Sequence, residues 1–295
     1  MKIQRVSSWV WFFGGMALAC LLAGCAAEAP EEPSAEVAAE PTLSLLVFDC
    51  GHFQIDDPQA FSLAIEEVAI PQLFVPCYLI RHEAGTLLWD AGLPPAMAEE
   101  PGGVELSPGV LVTYETPLSL QLEVMGISPA DVTHVAFSHM HFDHVGSANL
   151  FSGSTLLIQR AEHEAAFAED APVELFDRQL YGDLADSETV FLDGDHDVFG
   201  DGRVLILSAP GHTPGHQVLF LDLEETGPIV LSGDLYHFPE SRELRRVPQF
   251  NSDAEQTLES MDRIEDFLEE RRAELWIEHD FAFSQTLRLA PEAYD

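Results

Sequence analysis

His139, His141, Asp143 and His144 place four metal-binding side chains in six consecutive positions, inside the segment SHMHFDHV that begins at Ser138. Imidazole nitrogens and carboxylate oxygens are zinc ligands, and a catalytic zinc keeps one position for water. One short loop cannot complete two such coordination spheres, so further ligands must come from elsewhere in the chain. His212 ends SAPGH, Asp234 ends VLSGD and His279 ends LWIEH, each just after an apolar run that reads as a strand. Five histidines and two aspartates thus stand at four strand ends, and an α/β architecture gathers such ends on one rim of its sheets.

The pattern HxHxDH, followed in order by His, Asp and His, resembles the metallo-β-lactamase superfamily, over residues 43–295. The resemblance implies an α/β fold, the four-layer αββα sandwich, in a hydrolase domain spanning 42–295. It also implies two divalent metal ions, with zinc the favoured metal. By that likeness His139, His141 and His212 hold one ion, Asp143, His144 and His279 hold the second, and Asp234 bridges them. Asp143 is thereby placed in the catalytic set as well. Asp90, in the turn WDAGL, corresponds to an aspartate that orients the metal loop by hydrogen bonds, with simple turn-capping as the other reading. His216, four residues beyond His212, belongs beside the cluster rather than in it. A bridged metal pair activates water and polarises a carbonyl, so no serine or cysteine nucleophile is required. No GxSxG elbow is present. Oxygen-reducing diiron members carry glutamate where His141 stands, so histidine there favours zinc and hydrolysis, although affinity order and availability decide which metal is taken up.

Within the superfamily, VPCYLIRHEAGTLLWDAGL, SHMHFDHVG, PGHTPGHQ and IEHDFAFSQ are similar to the N-acyl homoserine lactonase family. That likeness implies opening of a lactone ring in a small neutral substrate, and with it quorum quenching. The lactonases use a tyrosine three places after the bridging aspartate to hold the substrate carbonyl. Here that place is His237 and the tyrosine is Tyr236. Either is a candidate donor to a developing oxyanion, and Tyr236 alternatively belongs to the core. A β-lactam, thioester or phosphodiester hydrolase of the same superfamily is the alternative. A metal-binding lipoprotein without turnover is a further one, since fold alone does not fix function.

The chain carries 51 acidic and 13 basic residues, for a net charge of −38. Such a surface repels nucleic acid and anionic membranes, whose binding depends on Lys and Arg. A neutral lactone meets no penalty, whereas anionic substrates need basic clamps. Arg242, Arg245 and Arg246 form a basic cluster near a metal loop, and Glu240 and Glu243 beside them suggest a local ion-pair network.

Lys2 and Arg5 precede an apolar segment from Trp9 to Leu22 that closes on small residues before Cys25. This reads as a signal peptide over residues 1–24, and LAGC resembles the bacterial lipobox, with Cys25 lipidated. The Ala, Glu and Pro of residues 25–41 cannot bury a core and form a tether. The expectation is a lipoprotein of the bacterial cell envelope, held at the membrane only through Cys25 and facing the periplasm or exterior. Cys50 and Cys77 lie in strand-like settings and read as buried free thiols. Residues 94–117, rich in Pro, Gly and Glu, suggest a mobile loop over the site. SPADVTHVAFSH reads as an N-cap, a turn and a buried strand that delivers His139. Leu258, Met261, Ile264, Phe267 and Leu268 share one face of an amphipathic helix.

Overall fold

The structure, a computed structural model, describes residues 43–295 and Trp9; the leader, Cys25 and the tether otherwise lie outside the described residues. The chain divides into units Met1–Glu40 and Pro41–Asp295, and the second is described here. Period-two alternation in its strands builds the layers. In the strand Leu43–Ile55, Leu45 and Val47 enter one core while Leu46 and Phe48 enter another. Gln72–His82 repeats this, with Tyr78 and Ile80 on the first side and Val75 and Leu79 on the second.

The strand Leu43–Ile55 lies in a nine-stranded mixed sheet. Gly85–Ala91, His134–Ala136, Thr155–Gln159 and Thr189–Leu192 run parallel in its second half. A five-stranded sheet holds Val204–Ser208, Gln217–Leu223 and Gly227–Leu231, with Glu274–Trp276 parallel at one edge. Ile206, Leu219, Leu221, Ile229 and Leu231 meet Leu45, Val47 and Trp89 between the sheets. The outer face of the large sheet is covered by the helices Leu118–Val124, Phe142–Val145, Arg160–Ala166 and Arg178–Tyr181. That of the small sheet packs Val218, Phe220 and Val230 on Met261, Ile264 and Leu268 of the helix Ala254–Arg271. The result is the expected αββα sandwich, and the long helix presents the apolar face foreseen for it. Asp253 caps its N-terminus by accepting from Glu255 and Gln256 N–H groups at 3.0 Å.

Two expectations are corrected. Residues 94–117 are not one mobile loop: Val104–Ser107 and Val110–Thr113 form a hairpin that extends the large sheet by pairing with the far end of Leu43–Ile55. The alternation VELS and VLVT around Pro108 and Gly109 carries that hairpin, and composition alone obscures it. Cys50 and Cys77 are not free thiols but a fully buried disulfide with Cα atoms 5.9 Å apart. A β-bulge between Asp49 and His52 accompanies the bridge, shifting the register of the two paired strands just where Cys50 lies.

Candidate metal centre

Each proposed ligand sits in the segment that follows a strand, His139, His141, His212 and His279 in loops, Asp143 and His144 in the short helix Phe142–Val145 and Asp234 in the helical turn Gly233–Leu235. His134–Ala136 leads to His139, His141, Asp143 and His144, Val204–Ser208 to His212, Gly227–Leu231 to Asp234, and Glu274–Trp276 to His279. Backbone bonds bring the loops together: Gln217 donates to the Ser138 carbonyl at 2.9 Å, and Phe74 to that of His279 at 3.2 Å. Gly233 admits Asp234 to the centre, because a Cβ there would lie 2.6 Å from Ser138 Cβ and 2.7 Å from His216 Nε2.

Two donor sets result. His139 Nε2, His141 Nδ1 and His212 Nε2 lie 2.8 to 3.2 Å from one another, and Asp234 Oδ2 lies 3.1 Å from His212 Nε2 and 3.5 Å from His139 Nε2. In the second set Asp234 Oδ1 is 2.8 Å from His279 Nε2 and 3.2 Å from His144 Nε2, which is 3.8 Å from Asp143 Oδ2. Ligands about 2.1 Å from a tetrahedral zinc stand about 3.4 Å apart, so both sets have roughly the spacing of coordination shells. The aspartate offers one oxygen to each. Asp234 Oδ1 and His144 Nε2 are buried without a hydrogen-bond partner among the described residues, an arrangement that is costly unless a cation satisfies it.

The electrostatics of the metal-free centre divide its histidines. Burial, reinforced by His144, holds His139 well below the usual imidazole range, and burial with His212 does the same for His141. Both are neutral and offer lone pairs, the form a metal requires. Burial opposes ionisation of Asp234, yet His237, His144, His279 and His139 around it hold its carboxyl well below the usual range. Burial also disfavours charge on His144 and His279, but Asp234 outweighs it and raises both, helped at His144 by Asp90.

A second layer fixes the rings. Asp90 accepts from His144 Nδ1 at 2.7 Å, from Ser138 N at 2.7 Å and from Ser138 Oγ at 2.9 Å, as the resemblance implies. Asn251 Oδ1 accepts from His212 Nδ1 at 2.9 Å, and the Phe74 carbonyl from His279 Nδ1 at 2.7 Å. With Nδ1 engaged, each of these imidazoles turns its Nε2 lone pair to the centre. His216 stays outside the donor sets. It donates to the Ala209 carbonyl and accepts the Asp234 N–H, both at 2.9 Å, and burial depresses it to about 3. Glu278 was not singled out from the sequence, although it stands beside His279 at the end of a buried strand. Its Oε1 accepts from Trp89 Nε1 at 3.0 Å and Gly233 N at 2.9 Å, and burial, aided by Asp90, pushes it to about 8. Asn251 carries no signal in sequence, since its role arises only from folding.

A family model described as the metallo-beta-lactamase superfamily matches residues 70–273. The chain belongs to the metallo-β-lactamase superfamily. An N-acyl homoserine lactonase from Bacillus sp is 31% identical over 222 residues, covering 73% of this chain and 85% of that protein. Another from Rhizobium radiobacter is 30% identical over 230 residues, covering 75% and 87%. A solved N-acyl homoserine lactone hydrolase with the product N-hexanoyl-L-homoserine bound at its catalytic metal centre superposes with a TM-score of 0.71 at 28% identity, covering 87% of this chain and all of that one.

The two candidate donors after Asp234 separate. Tyr236 turns away from the centre, its ring in the helix-covered core and its hydroxyl donating to the partly exposed Glu265 Oε1 at 3.0 Å. His237 turns inward, its Nε2 3.0 Å from Asp234 Oδ2 and its buried Nδ1 without a partner among the described residues. Of the two candidate donors, only His237 faces the site. It borders a cavity of about 270 Å³ whose floor includes His141, Asp143, Asp234 and His279. The walls are apolar, from Phe53, Ile55, Phe61, Leu73, Val110, Phe142 and Phe250; among the described residues Glu174 is the one charged lining residue besides the ligands, and no Arg or Lys lines it. The cluster Arg242, Arg245 and Arg246 is ion-paired, as expected, but with other partners. Arg242 binds Glu265 at 2.7 and 2.8 Å, Arg245 binds Asp262 at 2.6 Å and Arg246 reaches Glu67 at 3.4 Å. Glu240 instead accepts from Ala69 N at 3.0 Å.

Proposed function

We propose that this chain opens N-acyl homoserine lactones, with the ring at two zinc ions and the acyl chain in the adjoining cavity. The observation that carries the reading is a complete double donor set opening directly onto an apolar cavity that no Arg or Lys of the described residues lines. His139, His141 and His212 would hold one ion, Asp143, His144 and His279 the other, with Asp234 between them. Bound there, the ions supply a Lewis acid and an activated water. The apolar walls orient the acyl chain and exclude bulk water from the reacting ester. His237 lines the cavity beside the ions; in its neutral tautomer with hydrogen on Nδ1, Nε2 is a lone pair that gives nothing to Asp234, and Nδ1 is the group that would donate to a substrate carbonyl. A β-lactam brings a carboxylate that this cavity offers nothing to pair with.

The proposed setting is the bacterial envelope, with Cys25 lipidated. The Cys50–Cys77 disulfide supports it, because such bonds persist in oxidising compartments and are rare in the cytosol. The test is a panel run with the zinc-loaded full chain: N-acyl homoserine lactones of increasing length, a chromogenic cephalosporin, a glutathione thioester and a phosphodiester. Lactones should be opened, with kcat/KM rising about fourfold for each methylene buried, from about 0.8 kcal/mol per group. Faster hydrolysis of the cephalosporin or the thioester would overturn the reading.

A further inference from the structure

Glu162 lies in the first turn of the helix Arg160–Ala166, yet the residue is only 1% exposed. Its two oxygens go to two different ligand loops. Oε1 accepts the Met140 N–H at 2.9 Å, between His139 and His141, and Oε2 accepts the Gly215 N–H at 2.9 Å, three residues past His212. The second loop is pressed against the helix so closely that a Cβ on Gly215 would lie 2.4 Å from Glu162 N and 2.6 Å from its Cβ. The same helix start anchors the seam again: Gln159 Nε2 reaches Gln217 Oε1 at 3.2 Å, and Gln217 Nε2 donates to the Phe137 carbonyl at 2.9 Å.

The rings of the second donor set are oriented by other groups, Asp90 at His144 and the Phe74 carbonyl at His279, with Asp90 also accepting from Ser138 beside His139. We infer that Glu162 is a positioning residue for the first metal site alone, a buried clamp that sets the separation of His139 and His141 from His212. Charge-assisted acceptance of two backbone N–H groups suits this task, because a carboxylate offers strong acceptors to both loops at once and a neutral isostere cannot. The inference rests on the dinuclear reading above.

Glu162→Gln keeps the shape but turns one acceptor into a donor facing an N–H, and Glu162→Ala removes both acceptors. The full chain and both variants are loaded with zinc and equilibrated against graded chelator, and bound zinc per chain is counted. The wild-type chain should lose its two ions over one range. In Glu162→Gln one ion should leave at about tenfold lower chelator activity and in Glu162→Ala at up to about a hundredfold lower, the range seen when groups behind metal ligands are removed. The other ion should leave as in wild type. Cadmium-113 spectra of the loaded proteins should show one resonance shifted or broadened in the variants and the other unmoved. Unchanged affinity for both ions in both variants would overturn the inference. So would parallel weakening of both ions with a matching fall in the melting temperature of the metal-free Glu162→Gln protein, which would make the carboxylate a general fold support. A wild-type chain that never binds two ions would sink the dinuclear reading itself, and this inference with it.

Discussion

At the scale of the residue, ligand chemistry reads directly from sequence because metal-binding side chains are few in kind and their spacing is distinctive. All seven proposed ligands converge in two sets around Asp234. Roles that depend on side-chain direction are not legible in this way. Tyr236 and His237 are neighbours, and in extended backbone adjacent side chains point to opposite faces, so only the fold decides which one enters the site. Tyr236→Phe should leave lactone turnover within about twofold of wild type and cost about 1 kcal/mol of stability for the lost hydrogen bond to Glu265. His237→Ala should reduce kcat by about a hundredfold, the usual effect of removing an oxyanion donor, with zinc content unchanged. The reverse pattern in steady-state kinetics would return the role to Tyr236. Glu162 and Asn251 were invisible beforehand for the same reason: each acts on a loop distant in sequence.

At the scale of the element, period-two alternation and the 3.6-residue face of Ala254–Arg271 were plain, and they suffice for the four layers. The hairpin Val104–Thr113 and the disulfide were not. Short edge strands rich in turn residues resemble loops by composition, and cysteine pairing depends on register, which a bulge at Asp49 to His52 shifts. The bridge lies across 27 residues of chain and is wholly buried. Cys50→Ser together with Cys77→Ser should lower unfolding stability by about 3 kcal/mol, measured by denaturant titration, while the fully folded variant keeps its zinc. An unchanged midpoint would mean that the bridge contributes nothing to stability.

For the whole molecule, the acidic composition fits an enzyme acting on neutral substrates, and the leader and tether proposed for its N-terminal residues would place it outside the cytoplasm. A net charge of −38 turns polyanions away and leaves a lactone indifferent. Cys25→Ser should move the protein from the membrane fraction to the soluble one on cell fractionation; retention in the membrane with the leader intact would point to an uncleaved helix in place of a lipid. The central claim, ring opening at a dinuclear centre, is tested most directly by the product. When the zinc-loaded chain is incubated with N-hexanoyl-L-homoserine lactone and the mixture is examined by mass spectrometry, the substrate should gain the mass of one water with its amide intact, and a chelator should abolish the conversion. Release of free hexanoate with the ring still closed, or conversion undiminished after both metals are stripped, would contradict it.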